Sequence, residues 1–290
     1  MAWFMCFRAR HDAVSDLENY VKVAMLSAKA HAPSLVPILM VDGAASGLTA
    51  WFALNGGIVL FHELSFVNDL PEALRPMTGA FLRLDIPLVM NDKLQLPADV
   101  DTTVALYTDV DVMFLRDIST CSLPKPAVLA LGAEVRRNTL TNTGVMFLNL
   151  NGMREHLAPL LDFARAHQFE FGNDQPLILD YFTGRVVIQQ LPDIFNHKPY
   201  WGAEPDAVIV HFHGPKPGRG LPCLLTHRSR SGEMCKDVPF VYQNLFLNIA
   251  KDGGRYYNVV LQQYNEYLLF ASISHLGCEP HRESGRHVSG

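Results

Sequence analysis

At 290 residues, 49% hydrophobic and 18% charged, the chain can bury a sizeable core and is excluded from the disordered and fibrous classes. A net charge of −5 without a Lys/Arg run excludes an extended nucleic-acid footprint, and no apolar run approaches the ~20 residues of a membrane span. Cys6, Cys121, Cys223, Cys235 and Cys278 are scattered and form no C-x-x-C pair. That pattern excludes a zinc ribbon and a disulfide framework, and it points to a reducing, cytoplasmic setting. The N-terminus has no basic segment before a long apolar stretch, so no signal peptide is expected.

In chain order, Trp3–Phe7 reads as a short buried strand. Ser15-x-x-Glu18 forms a capping box ahead of a helix carrying Leu17, Val21, Ala24 and Ala28. Pro37–Asp42 and Ile58–Leu64 are the next strands, and a helical stretch around Gly79–Met90 is interrupted by Pro87. Thr103–Thr108 is a strand ending at Asp109, followed by strand candidates at Ala127–Leu131 and Val145–Leu150. A helix is expected at about Met153–His167, then apolar segments at Leu177–Tyr181 and Arg185–Gln190 and a strand at Ala207–Phe212. Strands separated by helices of this length imply βαβ units and a mostly parallel sheet covered on both faces. Arg255–Ser272 reads as a helix that packs as core or lies on a membrane surface, and the residues from Gly277 onward have no periodicity. The expected organisation is one α/β domain over residues 1–254, with a C-terminal helix and tail over 255–290.

Two short patterns carry chemistry. In Val104-Ala-Leu-Tyr-Thr-Asp109-Val-Asp111, the carboxylates at i and i+2 project to one side of an extended chain. Placed at the carboxyl end of a buried strand, they can hold a hard divalent cation such as Mg²⁺ or Mn²⁺, which usually shares its shell with substrate phosphates. An Asp-x-Asp arises about once by chance in a chain of this composition. A second copy, Asp99-Val-Asp101, follows Pro97 in a polar stretch and reads as solvated loop. Asp109 and Asp111 differ because they end an apolar run, where a carboxylate needs a partner. The second pattern, Val208-Ile-Val-His211-Phe-His213-Gly214-Pro-Lys216-Pro217, again ends an apolar strand in ligand-type side chains. His211 and His213 stand as alternative ligands, an imidazole suits Mn²⁺ better than Mg²⁺, and Lys216 can act as a point charge on a phosphate.

These residues resemble the GT-A fold glycosyltransferases, close to glycosyltransferase family 8. Ala80-Phe-Leu-Arg83-Leu-Asp-Ile-Pro87 is similar to the family's arginine-containing helix, and Leu106–Val112 to its Asp-x-Asp strand. Asn142-Thr-Gly144 resembles its Asn-x-Gly strand, Asp174-Gln175 its Asp-Gln pair, and His211–Pro217 its closing motif. That motif is one residue shorter than usual between Gly214 and Lys216, and Gly218 stands where an aromatic residue is common.

The resemblance implies a Rossmann-like GT-A domain and a metal-dependent transfer from a nucleotide-diphospho-sugar, usually UDP-linked, to a glycan, lipid-linked or protein acceptor. It implies that Asp109, Asp111 and His211 bind metal, that Gly214 and Lys216 bind diphosphate, and that Arg83, Asn142, Asp174 and Gln175 border the donor sugar. Nucleotide contacts are implied for the Arg8–His11 loop. Transfer with retention is implied, with Gln175 under the reacting carbon as a dipole or weak nucleophile. Asp174 is the competing candidate, as a general base giving inversion or as a partner that orients Gln175 or Arg83. Local chemistry offers plainer roles too: Arg83 pairing with Asp85 or Asp109, Asn142 in a turn, Arg136-Arg137 in a solvated loop. Two other readings are a sugar-phosphate nucleotidyltransferase, whose Gly-rich N-terminal loop is missing from Phe7–Ala13, and a non-catalytic nucleotide- or carbohydrate-binding module.

Overall fold

The computed structural model describes residues 1–8, 16–134, 140–213, 217 and 255–273. Its first strand, β1 (Ala2–Arg8), is buried on both faces, with Ala2, Phe4 and Cys6 entering one core and Trp3, Met5 and Phe7 the other. The same alternation runs through β2 (Val36–Asp42), β4 (Val104–Thr108), β6 (Leu129–Ala133) and β7 (Leu140–Asn149). Continuous apolar runs are what a sheet covered on both sides requires, and each fully buried large side chain contributes about 1.5–3 kcal/mol. With β3 (Ile58–Phe61) and β8 (Gln189–Gln190) these strands form one sheet in the order β3-β2-β1-β4-β7-β6-β8. β7 pairs antiparallel with both neighbours, and every other pairing in the sheet is parallel.

One face carries α3 (Thr78–Phe81), α4 (Ile86–Asp92), α5 (Leu150–Ala166) and α6 (Asp174–Phe182), through Phe81, Val89, Leu157 and Ile178 among others. The opposite face carries α1 (Asp16–His31) and α2 (Gly47–Leu54) through Val21, Met25, Trp51 and Phe52. The last described helix, α7 (Arg255–Ile273), lays Val260 and Tyr264 on Tyr20 and Val23 of α1, and Tyr267 bonds His31 at 2.9 Å. Its core-packing face is therefore occupied, while Leu269 and Phe270 lie on the exposed side. No helix of the described residues is long and apolar enough to cross a membrane.

Several expected boundaries move. Pro87 lies in the first turn of α4, where proline is tolerated, rather than interrupting a longer helix, and a 3₁₀ turn over Leu82–Asp85 joins α4 to α3. β3 ends at Phe61 instead of Leu64, and Leu150 opens α5 instead of closing β7. Leu177–Tyr181 lies inside α6, and Arg185–Gln190 shrinks to the two residues of β8. Ser15 of the expected capping box lies outside the described residues.

The topology fixes where a site can form. Since β7 runs against its neighbours, its first residues lie beside the carboxyl end of β4: Thr108 pairs with Val145, and the Asp109 N–H donates to the Gly144 carbonyl at 2.7 Å. The chain then leaves the sheet as β5 (Val112–Phe114) and pairs antiparallel with β9 (Ile209–His211), which sets His211 opposite Val112.

The start of α5 tests how tightly these layers meet. Asn149 caps the helix by accepting from the Gly152 N–H at 3.0 Å, and a Cβ on Gly152 would lie 2.3 Å from the Ala127 carbonyl oxygen and 3.1 Å from Val128 Cα. Gly→Ala in a helix ordinarily stabilises by about 1 kcal/mol. At this position the sign should reverse, with Gly152→Ala losing roughly 1–3 kcal/mol in urea denaturation because only backbone can move aside.

Candidate metal centre

Asp109 and Asp111 follow β4, and His211 closes β9. One ligand atom from each of the three lies within 4.8 Å of the other two. His211 Nε2 is 3.7 Å from Asp109 Oδ2 and 3.6 Å from Asp111 Oδ1, too far for a hydrogen bond and close enough for one ion to bind all three. Gly144 makes the space: a Cβ there would sit 2.1 Å from His211 Cε1 and 2.9 Å from Asp109 Oδ2. His211 is 1% exposed, and burial lowers its pKa against the opposing pull of Asp111 and Asp109, which favours the neutral imidazole a metal needs.

Arg83 anchors the carboxylate side. It is 5% exposed and stands in the turn between α3 and α4. Its Nη2 donates to Asp109 Oδ1 at 2.9 Å, its Nη1 to the Thr143 carbonyl at 2.9 Å, and its Nε to the Ala80 carbonyl at 2.8 Å. Nε also lies 3.2 Å from Asp174 Oδ2, and the guanidinium covers the Tyr107 ring at 4.3 Å. Burial alone would lower the guanidinium's pKa, but Asp174, Tyr107 and Asp109 outweigh it and hold the charge. Tyr107 donates its hydroxyl to Asp109 Oδ1 at 2.7 Å, so that oxygen is held twice and Oδ2 is turned toward His211.

Asp174 and Gln175 occupy the first turn of α6, capped by the Asn173 side chain on the Gln175 N–H. Asp174 is 4% exposed, and burial raises its pKa despite Arg83. Gln175 Oε1 accepts from the Thr143 N–H at 3.0 Å and its hydroxyl at 3.3 Å. Arg83 therefore pairs with Asp109 and Asp174, whereas Asp85 is bonded by His62 and Ser65. Asn142 is in β7 rather than in a turn. Its side chain meets Gly144 N–H, Asn196 and Glu134.

The histidine pair also separates. His213 turns away from the carboxylate pair and contacts Glu134 Oε1 at 2.9 Å. Burial raises the Glu134 pKa, but hydrogen bonds from His213 and Asn142 overcome it and bring it to about 2. The decoy residues Asp99 and Asp101 are exposed. At the neighbouring ends of β1 and β2, the Thr78 hydroxyl bridges Arg8 to Asp42. Gly214, Lys216, Arg136, Arg137 and the rest of the Arg8–His11 loop lie outside the described residues. Glu134, Asn196 and Lys198 join the site with no motif to announce them, and Thr143 joins it as the middle residue of Asn142-Thr-Gly144.

No protein-family model matches the chain, and no curated protein matches it. Solved structures do. The galactosyltransferase LgtC, in complex with donor and acceptor sugar analogues, matches over 86% of this chain and 96% of its own, with a TM-score of 0.54 at 17% identity. GlyE, a glycosyltransferase of Streptococcus pneumoniae TIGR4 in its apo form, matches over 90% of this chain and 64% of its own, at 0.53 and 15%. Apo mouse xyloside xylosyltransferase 1 matches over 74% and 98%, at 0.50 and 17%. The fold is the GT-A fold of these glycosyltransferases.

Lys198 gives a measurable signature of this region. It is 0% exposed, its ammonium donates to the Ala133 carbonyl and lies 4.6 Å over Trp201, and burial lowers its pKa to about 7 against Glu134 and Asp193. Below pH 7 both folded and unfolded chains bind the proton. From pH 7 to the ordinary lysine value of 10.5 only the unfolded chain holds it, so this group's contribution to stability rises with pH over that window. Between pH 7 and 9, urea denaturation should show wild type gaining on the order of 2–3 kcal/mol relative to Lys198→Met. Loss of the Ala133 contact shifts the variant equally at both pH values and leaves the slope to the proton.

Proposed function

We propose that this chain is a metal-dependent glycosyltransferase of the family 8 kind, moving a sugar from a nucleotide-diphospho-sugar to a hydroxyl of a glycan, lipid-linked or protein acceptor, with retention. The observation that carries the reading is the convergence of Asp109, Asp111 and His211 at the carboxyl edge of the sheet, in a space that Gly144 leaves open. Two carboxylates and one neutral imidazole fit Mn²⁺ in preference to Mg²⁺. Resemblance to family 8 adds a UDP-linked donor, with Gly214 and Lys216 on its diphosphate and Arg83 and Asn142 beside the sugar. A cytoplasmic setting fits the free, buried Cys6.

When bound, the divalent ion supplies Lewis-acid neutralisation of the leaving diphosphate. The chain's own residues set the geometry. Arg83 and Tyr107 hold Asp109 by one oxygen and present the other. Gln175 commits its Oε1 to Thr143, which favours an oriented dipole under the sugar over a nucleophile. Asp174 is buried against Arg83 and Thr143, which favours the role of Arg83's partner over that of a general base. With Asp174 in that role, the departing phosphate oxygen takes the acceptor proton on the face it leaves, and the anomeric configuration is kept.

Turnover of a nucleotide-sugar panel with Mn²⁺ tests the metal reading. UDP-sugar hydrolysis should fall by roughly 100-fold or more in Asp109→Ala and Asp111→Ala, and variants as active as the parent would remove the enzyme assignment. The stereochemistry is tested separately by proton NMR of the first-formed product. A retained anomer is expected, and an inverted one would return Asp174 to the role of base.

A further inference from the structure

We infer that Asn142 and Asn196 form a polarised relay that fixes the tautomer of His211, which makes both positioning residues for the metal; the inference rests on the metal-site reading above. The relay is set by a group that can only donate. The Gly144 backbone N–H lies 3.1 Å from the Asn142 side-chain oxygen. That fixes the amide's orientation and sends its NH₂ group to Glu134 Oε2 at 2.9 Å. The Asn142 oxygen then accepts a second hydrogen bond at 2.8 Å from the NH₂ group of Asn196. Asn196 is left with its oxygen facing His211 Nδ1 at 2.9 Å.

An amide oxygen cannot donate, so His211 carries its proton on Nδ1 and points the Nε2 lone pair at Asp109 and Asp111. This is how the second nitrogen of a metal-binding histidine governs the first. Asn142 and Asn196 are 2% and 1% exposed, so water does not compete for these bonds. Gly132 keeps the relay in place from behind: a Cβ there would lie 2.2 Å from Asn196 Nδ2 and 2.9 Å from its Cβ and Cγ. The register shifts in the β6–β7 pairing fall on either side of this glycine, so the irregularity sits where the amide is admitted.

The test uses the full chain and Mn²⁺ alone. Binding is read from the free-ion EPR signal, and the His211 tautomer from long-range proton–nitrogen NMR of histidine-labelled, metal-free protein, assigned with His211→Gln. Wild type should show the Nδ1–H tautomer. Asn196→Leu should weaken Mn²⁺ binding about 10- to 100-fold and release the tautomer. Gly132→Ala should act like Asn196→Leu without changing the amide, which covers the case that the leucine variant does not fold. An Nε2–H tautomer in wild type, or undiminished Mn²⁺ affinity in both Asn196→Leu and Gly132→Ala, would overturn the relay. A wild-type protein that binds no Mn²⁺ yet shows the Nδ1–H tautomer, lost in Gly132→Ala, would uphold the relay and overturn the metal reading.

Discussion

A guanidinium almost removed from water must be neutralised and hydrogen-bonded, and Arg83 meets both demands by reaching four parts of the chain at once. Its partners are the Ala80 carbonyl at the end of α3, Thr143 on β7, Asp109 after β4 and Asp174 at the start of α6. Removing one partner of such a group leaves a buried charge uncompensated, at a cost of several kcal/mol. The four segments are therefore held in register by one side chain. Asp109 is pinned by one oxygen because Arg83 needs it, and Thr143 is pinned because its carbonyl serves the same cation. Gln175 is in turn placed by Thr143.

The topology decides why these partners meet. β4 and β7 run in opposite directions, so the end of one and the beginning of the other share an edge. Without that reversal, Asn142 to Gly144 would lie at the far end of the sheet from Asp109. The pairing of β5 with β9 does the same for His211, which is 100 residues beyond Asp111 in sequence and is carried to it by the Phe212 N–H on the Asp111 carbonyl at 2.9 Å. Backbone pairing delivers the three side chains, and the absence of a side chain at Gly144 lets them close on a common point.

Much of this was legible from residue order, for a physical reason. Buried parallel strands are apolar on both faces, so β1, β2 and β4 announce themselves, and a carboxylate at the end of such a run stands out against Asp99 and Asp101 in a polar stretch. Other features left no local trace. Helix α2 is apolar nearly all round, and its capping box uses Ser46 with Thr49 in place of a glutamate, so neither the 3.6-residue period nor the usual cap pattern marks it. The choice between His211 and His213 depends on the β5–β9 register, which two histidines on one strand face do not reveal. Asn196 follows a 3₁₀ turn in a loop, and its role exists only because β6 bulges at Gly132. Residues whose work is to orient other residues have no reason to form a motif.

That division bears on how charge is arranged around the centre. Asp109 and Asp111 already face His211, and a third carboxylate placed directly on Nδ1 would draw the imidazole toward its protonated form, in which it is no ligand. Two neutral amides provide the acceptor that orients the ring without adding charge beside it. The negative end of the chain is displaced to Glu134, where His213 and Asn142 hold the carboxylate. The relay thus separates two tasks that a direct carboxylate–histidine contact combines: it directs the Nε2 lone pair inward, and it leaves burial free to keep His211 neutral.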